Sequence, residues 1–301
     1  MYKRQGNIVL STAGTTTIGT GGGALQIDGT IDGTSSQAEN LTITTGAGSL
    51  TIGGTIGGTN PLTTLSIAGS GAGAIDLAGI GDSDTAGATG TTTVGNTTTT
   101  TLTLSGTIYK TDDSQTYVAK TGQNIDITDA ATFTTTNDAV AFNTAGVDLI
   151  NGNAGGAHTI TVDTGTGTGA VTFGGAIESD GGDDETLTIT SGTGTVTFTG
   201  ALGATQELGG LNVNASSGNG IITFTGAIGD TNAPQAGVIG TSNIGNTATT
   251  RIDLDGGLYS FDGTTTFETT SGETVAVGAT VTVENTANSL SFSGGDINLH
   301  H

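Results

Sequence analysis

Val171-Thr-Phe-Gly-Gly-Ala-Ile177, Val196-Thr-Phe-Thr-Gly-Ala-Leu202 and Ile222-Thr-Phe-Thr-Gly-Ala-Ile228 are one motif written three times, at steps of 25 and 26 residues. Each opens on an apolar-polar-apolar triplet, the period-2 pattern of a strand with one buried face, and closes on Gly followed by a second apolar residue. The same step spaces Leu25-Gln-Ile27, Leu50-Thr-Ile52 and Ile75-Asp-Leu77. A second set lies between these triplets at a step of 24: Leu41/Ile43 with Leu65/Ile67, and Leu187/Ile189 with Leu211/Val213. Further along, Ile125/Ile127 to Val147/Leu149 and Val140/Phe142 to Ile160/Val162 give steps of 22 and 20. Two or three short strands in every 20 to 26 residues, separated by Gly, Asn, Asp and Ser, is the pattern expected of a β-solenoid. A hairpin sandwich would use longer strands and tight two-residue turns. In a solenoid, Phe173, Phe198 and Phe224 form an internal column, as do Val171, Val196 and Ile222, and each coil covers its neighbour's apolar face.

A longer repeat contains the short one. Val94-Gly-Asn-Thr to Tyr109 lies over Ile244-Gly-Asn-Thr to Tyr259 without a gap at an offset of 150, and the register continues from Tyr117 on Phe267 to Leu149 on Leu299. Upstream the offset is 146, with Leu41 on Leu187 and Leu62 on Leu208. The difference is expected in a surface loop between Gly73 and Val94, opposite the longer Asn219 to Ile244. The domain reading is therefore a non-repeat stub at 1–5, one continuous solenoid over 6–299 made of two units (6–149 and 150–299), and a tail at 300–301. At roughly 25 residues a coil and about 4.8 Å a step, this gives roughly 12 coils and a rod on the order of 55 to 60 Å long.

Composition agrees with a thin β architecture. Of 301 residues 55 are Gly and only 4% are aromatic, too few bulky side chains for a thick globular core. Yet 33% are hydrophobic and 11% charged, which sets the chain apart from disordered Gly-rich sequences. Collagen is excluded because Gly has no third-residue period and there are two prolines. Glycine is expected at corners, where it supplies positive φ and lets backbones approach.

Charge and cysteine content restrict function. Five basic residues against 27 acidic ones give a net charge of −22, which cannot neutralise a run of phosphates. Nucleic-acid and membrane partners are not expected. The absence of Cys removes thiol and disulfide chemistry and fits an exported bacterial protein. No apolar run has the length of a membrane span, and Met1-Tyr-Lys-Arg-Gln5 has no apolar stretch after it of the kind a signal peptide needs.

No catalytic constellation emerges. The basic and imidazole groups beyond the first five residues are Lys110, Lys120, Arg251, His158, His300 and His301, and Arg251 falls where the other unit has Thr101. Asp180, Asp183, Asp184 and Glu185, with Asp112-Asp113 and the pair Asp82 and Asp84, supply oxygen ligands of the kind calcium takes. The tandem nonapeptide of calcium-binding β-rolls is absent, so these acids read as solubilising loop residues. Gly19 to Ala24 fits a dinucleotide-binding pattern, but the strand triplet Leu25-Gln-Ile27 follows it where a helix is needed, and it reads as a corner. Outward Thr-x-Thr pairs at 42–44, 101–103 and 188–190 raise ice binding, yet Ser66/Ala68 and Asn212/Asn214 interrupt them. The expectation is a non-enzyme with no catalytic, cofactor-binding or metal residues and no cofactor.

The motifs Val-Thr-Phe-x-Gly-Ala-Ile/Leu (171–177, 196–202), Leu-Gly-Gly-Leu-Asn-Val (208–213) and Gln115-Thr-Tyr-Val118 resemble the repeats of very large bacterial surface proteins of the filamentous-haemagglutinin-like, β-strand-repeat adhesin class. The resemblance covers most of 6–299. It implies a secreted, right-handed parallel β-helix at the cell surface, the shaft of an adhesin or fibre, with no catalytic residues to carry over. The partner would be a host or environmental surface, glycan or protein, and the solenoid would continue at both ends. A glycan-binding or glycan-cleaving β-helix is the alternative, marked by outward aromatics along a groove; Tyr109 and Tyr259, at equivalent positions, are instead expected to stack between coils. An ice-binding solenoid and a calcium-stabilised surface-layer protein stand behind these.

Overall fold

The computed structural model describes residues 1–35, 37–67, 73–143, 145–149, 157–180, 185–230, 236–278, 282–285, 289–294 and 296–299. They form 32 short strands and no helix. The ladders are parallel, and the chain winds through three faces per turn. Face 1 starts with Tyr2–Arg4 and Leu25–Ile27, face 2 with Ile8–Val9 and Ile31–Asp32, face 3 with Gly14–Gly19 and Glu39–Thr44. This is the β-solenoid expected from the triplets.

Face 3 is one sheet of 12 strands. On the other two faces the longest sheets have 8 strands, and single bridges carry the columns onward: Ile31 to Ile56, Ile80 and Tyr109 on face 2, Ile177 to Leu202, Ile228 and Tyr259 on face 1. Eleven stacking steps thus join first turn to last, roughly 53 Å at about 4.8 Å each. The core is the narrow space between the faces, filled from every side by alternate residues. Leu25, Ile27, Leu50, Ile52, Ile75 and Leu77 stack in register on face 1. Phe173, Phe198 and Phe224 stack on face 3 with centroids 5.5 and 4.7 Å apart and planes within 6°. Tyr117 and Phe142 extend that ladder.

Two expectations are corrected. Val140/Phe142 do not stack on Ile160/Val162: the first pair is on face 3 and meets Val171/Phe173, the second is on face 2 and follows Phe133. The 20-residue step runs from face 3 to face 2 of the following turn, with Gly146–Leu149 of face 1 between them, so it does not measure a turn. The stub at 1–5 is also part of the solenoid, since Tyr2, Lys3 and Arg4 pair with Leu25, Gln26 and Ile27. Its triplet escapes notice because Arg4 stands in an apolar position.

The long repeat has a geometrical property that its length conceals. Leu41–Ile43 lies on face 3 but its equivalent Leu187–Ile189 on face 2; Leu102–Leu104 lies on face 1 but Ile252–Leu254 on face 3. Seventeen strand positions separate Leu25 from Val171, five turns of three and two faces more. The second unit is the first, rotated by a face. Its local geometry survives intact: Gly95 and Gly245, at φ +80° and +83°, open the same Gly-Asn-Thr corner, where a Cβ would lie 2.0 and 2.1 Å from the carbonyls of Val118 and Glu268. Elsewhere glycines stack on glycines; a Cβ on Gly226 would sit 2.0 Å from the Gly200 carbonyl oxygen.

Candidate functional site

Four features of the surface can be built from these elements. The first is the set of acidic groups. Glu185 is turned inward and fully buried, accepting a hydrogen bond from the Ser179 hydroxyl. Its equivalent Glu39 is buried the same way and accepts from the Thr34 and Ala38 amides. Asp32 accepts from the Thr59 amide of the next turn at 2.9 Å, and Glu178 from the Thr205 amide at 3.0 Å. These carboxylates close corners. Asp82 does likewise, and the amides of Thr85 and Asp84 hold its carboxyl below the usual range. Asp183, Asp184, His300 and His301 lie outside the described residues. Among the described residues no three His, Asp or Glu side chains are grouped as a metal would require.

The outward acids of face 1 form a second feature. Asp126 stands directly over Asp148, and Glu178 follows on the next rung. Burial, then the neighbouring charge of Asp148, pushes the Asp126 carboxyl up; burial also raises Asp148, against the Asn124 hydrogen bond that lowers it. Like charges opposed on adjacent strands repel.

The third feature is a groove of about 390 Å³ along one corner, lined by Asp163, Thr166, Thr190, Thr193, Ser217 and Asn219. Its walls are small, with Gly165, Gly192, Gly218 and Ala248 between the polar side chains and no ring. Of the molecule's twelve aromatic side chains, ten are fully buried, Phe292 is half-buried, and only Tyr2 is exposed. Tyr109 and Tyr259 are among the buried ones and link turns, as expected. Each hydroxyl accepts from a glycine amide three residues back and donates to a carbonyl of the turn below: Leu77 at 2.7 Å for Tyr109, Phe224 at 2.8 Å for Tyr259. Gly19 to Ala24 is a corner with Gly21 and Gly22 at positive φ, leading into a strand.

The fourth feature was missed by comparing Thr pairs within strands. Register on face 3 places Thr17, Thr42, Ser66, Thr93, Thr116, Ala141, Thr172, Thr197 and Thr223 in one outward row. Nine consecutive rungs carry no charge and no large side chain, in a protein with 27 acids. The row runs across both repeat units because the rotation splices face 3 of one to the equivalent of face 1 in the other. A 150-residue offset read without its face assignment hides this.

No family model, curated protein or solved structure matches the chain.

Proposed function

We propose that this chain is a non-catalytic structural rod, the shaft of a secreted bacterial adhesin or surface fibre, that holds a recognition element away from the cell. The observation that carries this reading is the allocation of side chains. Aromatic and apolar groups are spent on stacking turn upon turn, while Thr, Asn, Asp and Ser cover the outside. A glycan-binding or glycan-cleaving β-helix would stack sugars on outward rings, and Tyr109 and Tyr259 are committed to the core. Parallel stacking of identical turns favours stiffness along the axis, and the excess of acid over base opposes side-by-side aggregation. Adhesive specificity would then lie in further chain continuing the solenoid or in loops such as 230–243, of which 231–235 lie outside the described residues. Electron microscopy should show a rod about 55 Å long, and a glycan array should give no binding. A sugar ligand or a cleaved polysaccharide would overturn the reading.

One observation favours a second reading. The row repeats at about 4.8 Å intervals on a charge-free strip and presents both hydroxyl and methyl at seven of its nine rungs, Ser66 and Ala141 being the exceptions, a spacing of the kind an ice-binding face uses. Thermal hysteresis in a solution of the chain, abolished by Thr116→Lys and Thr172→Lys together, would select that reading; its absence removes it.

A further inference from the structure

Face 3 differs from the other two faces in its charge. The outward row from Thr17 to Thr223 is flanked by a column two residues before it, from Thr15 to Ile221, and by a column two residues after it, from Gly19 to Thr225. Over nine successive rungs none of these positions carries a charge. The next rung ends the strip at once: Arg251 lies beside Ile221 and Asp253 beside Thr223, joined in an ion pair at 2.8 Å. The outward acids stand on the other faces, Asp76, Asp126, Asp148 and Glu178 on face 1, Asp163 and Glu268 on face 2.

The strip is apolar near its centre and polar toward its rim, as protein interfaces are. Val118, Ala139, Ala141 and Ala170 fall on three successive rungs, half-buried, and the threonines of the row continue on either side. The row's hydroxyls make no hydrogen bond within the chain, whereas corner threonines such as Thr20, Thr135 and Thr164 donate theirs to nearby carbonyls. Each outward hydroxyl thus keeps a donor and an acceptor for a partner. The strip is about 43 Å long and about 16 Å wide, roughly 700 Å². Two of them bury roughly 1,400 Å², the size of a stable specific interface. A second copy of the chain offers the same rung spacing, the same flatness and no charge to desolvate, while the acids of faces 1 and 2 oppose any other approach.

We propose that two copies of this chain pair side by side, face 3 against face 3, with the apolar centre of one strip on that of the other and Ala141 near its counterpart. The contact is isologous, so the pair closes and does not grow into a bundle. Sedimentation and electron microscopy of the 301-residue chain test it. Raising the concentration should give a species of twice 29.2 kDa, seen as particles of doubled width and unchanged length. High salt should strengthen pairing by about tenfold, because it screens the acids of the two rods. Ala141→Asp sets two carboxylates against each other and should weaken pairing by about a hundredfold or more, whereas an equimolar mixture of Ala141→Asp and Ala141→Lys should restore it as a mixed pair. Thr161→Asp, which adds the same charge on face 2, should leave pairing within about twofold of the parent chain. Circular dichroism establishes that each variant is folded. A monomer at every concentration, pairing that survives Ala141→Asp, or equal loss with Thr161→Asp would overturn the proposal, and thermal hysteresis from such a monomer would assign the strip to ice. Single rods in micrographs of the monomer would leave the shaft reading standing, whereas the absence of any rod would remove the shaft reading itself.

Discussion

Residues 106–118 and 256–268 occupy the same place in the long repeat, begin with the same buried tyrosine, and fill their share of the core by opposite means. In the first, Gln115 is fully buried; its amide donates to the carbonyls of Tyr109 and Thr134 at 2.9 and 2.8 Å and to the Thr111 hydroxyl, and accepts from the Tyr117 hydroxyl at 2.8 Å. In the second, the equivalents of Thr111, Gln115 and Tyr117 are Phe261, Thr265 and Phe267, and the two rings meet edge to face at 5.9 Å. Thr to Phe adds an apolar ring where Gln to Thr removes the amide at the centre of the network. The core accepts a closed polar network or a set of rings, because a half-satisfied network leaves buried groups unpaired.

The largest effect is expected in the aromatic column between the two regions. Phe198→Asp places a carboxylate between Phe173 and Phe224, where no cation reaches it, and should cost more than about 4 kcal/mol or prevent folding. Phe198→Leu, which keeps the site apolar, should cost roughly 1 to 2 kcal/mol. Thermal and denaturant unfolding compare them, and equal small losses would contradict the stacked column. Next comes the polar network itself. Gln115→Leu strands two carbonyls and a phenol and should cost about 3 kcal/mol, against less than about 1 kcal/mol for Thr265→Val, which removes one bond to the Gly263 carbonyl. Replacing Thr111, Gln115 and Tyr117 together by Phe, Thr and Phe should destabilise less than Gln115→Leu alone.

The strand triplets, their turn-to-turn step and the inward Phe column were legible because a period of two in hydrophobicity and a period near 25 in sequence both survive in side-chain type. The fold followed from those alone. Face assignment was not legible. Single-residue bridges at Ile56, Ile80, Leu202 and Ile228 leave no triplet to count, so turns were found but strands within them were lost. For the same reason the threonine row and the rotation of the repeat escaped, although every residue in them was in view. The buried carboxylates Glu39 and Glu185 were read as part of a solvated acidic surface or passed over. Only their equivalence at an offset of 146, next to Gly-rich corners, could have marked them as corner-closing groups.

The shared tyrosines give a smaller and more equal effect. Tyr109→Phe and Tyr259→Phe remove the same two bonds, orphaning a glycine amide and a carbonyl of the turn below. Each should cost about 1 to 2 kcal/mol, and the two should agree within about 0.5 kcal/mol if rotation onto another face leaves local energetics unchanged. Burial pushes both hydroxyls far above the usual phenol range, so neither contributes a pH dependence near neutrality.

The smallest effect separates the units by charge. Asp126 and Asp148 of the first unit correspond to Ala276 and Asn298 of the second, so only the first stacks acid on acid. Burial and mutual repulsion raise the Asp126 carboxyl in the folded state, and burial raises Asp148. A carboxyl whose folded pKa exceeds its unfolded value holds its proton more tightly when folded. Its stabilising contribution is therefore present below the unfolded value, near about 3.9, and is lost as pH rises through the folded one. At neutral pH the ionised pair weakens the fold, but both groups are only half-buried and water screens part of the repulsion. Asp126→Asn should raise the melting temperature slightly at pH 7 and leave it unchanged at pH 3, whereas Ala276→Asp with Asn298→Asp should lower it at pH 7 and spare it at pH 3. A drop at pH 7 for Asp126→Asn would show that Asp126 is held by an attractive partner and that the acidic ladder is not a source of repulsion.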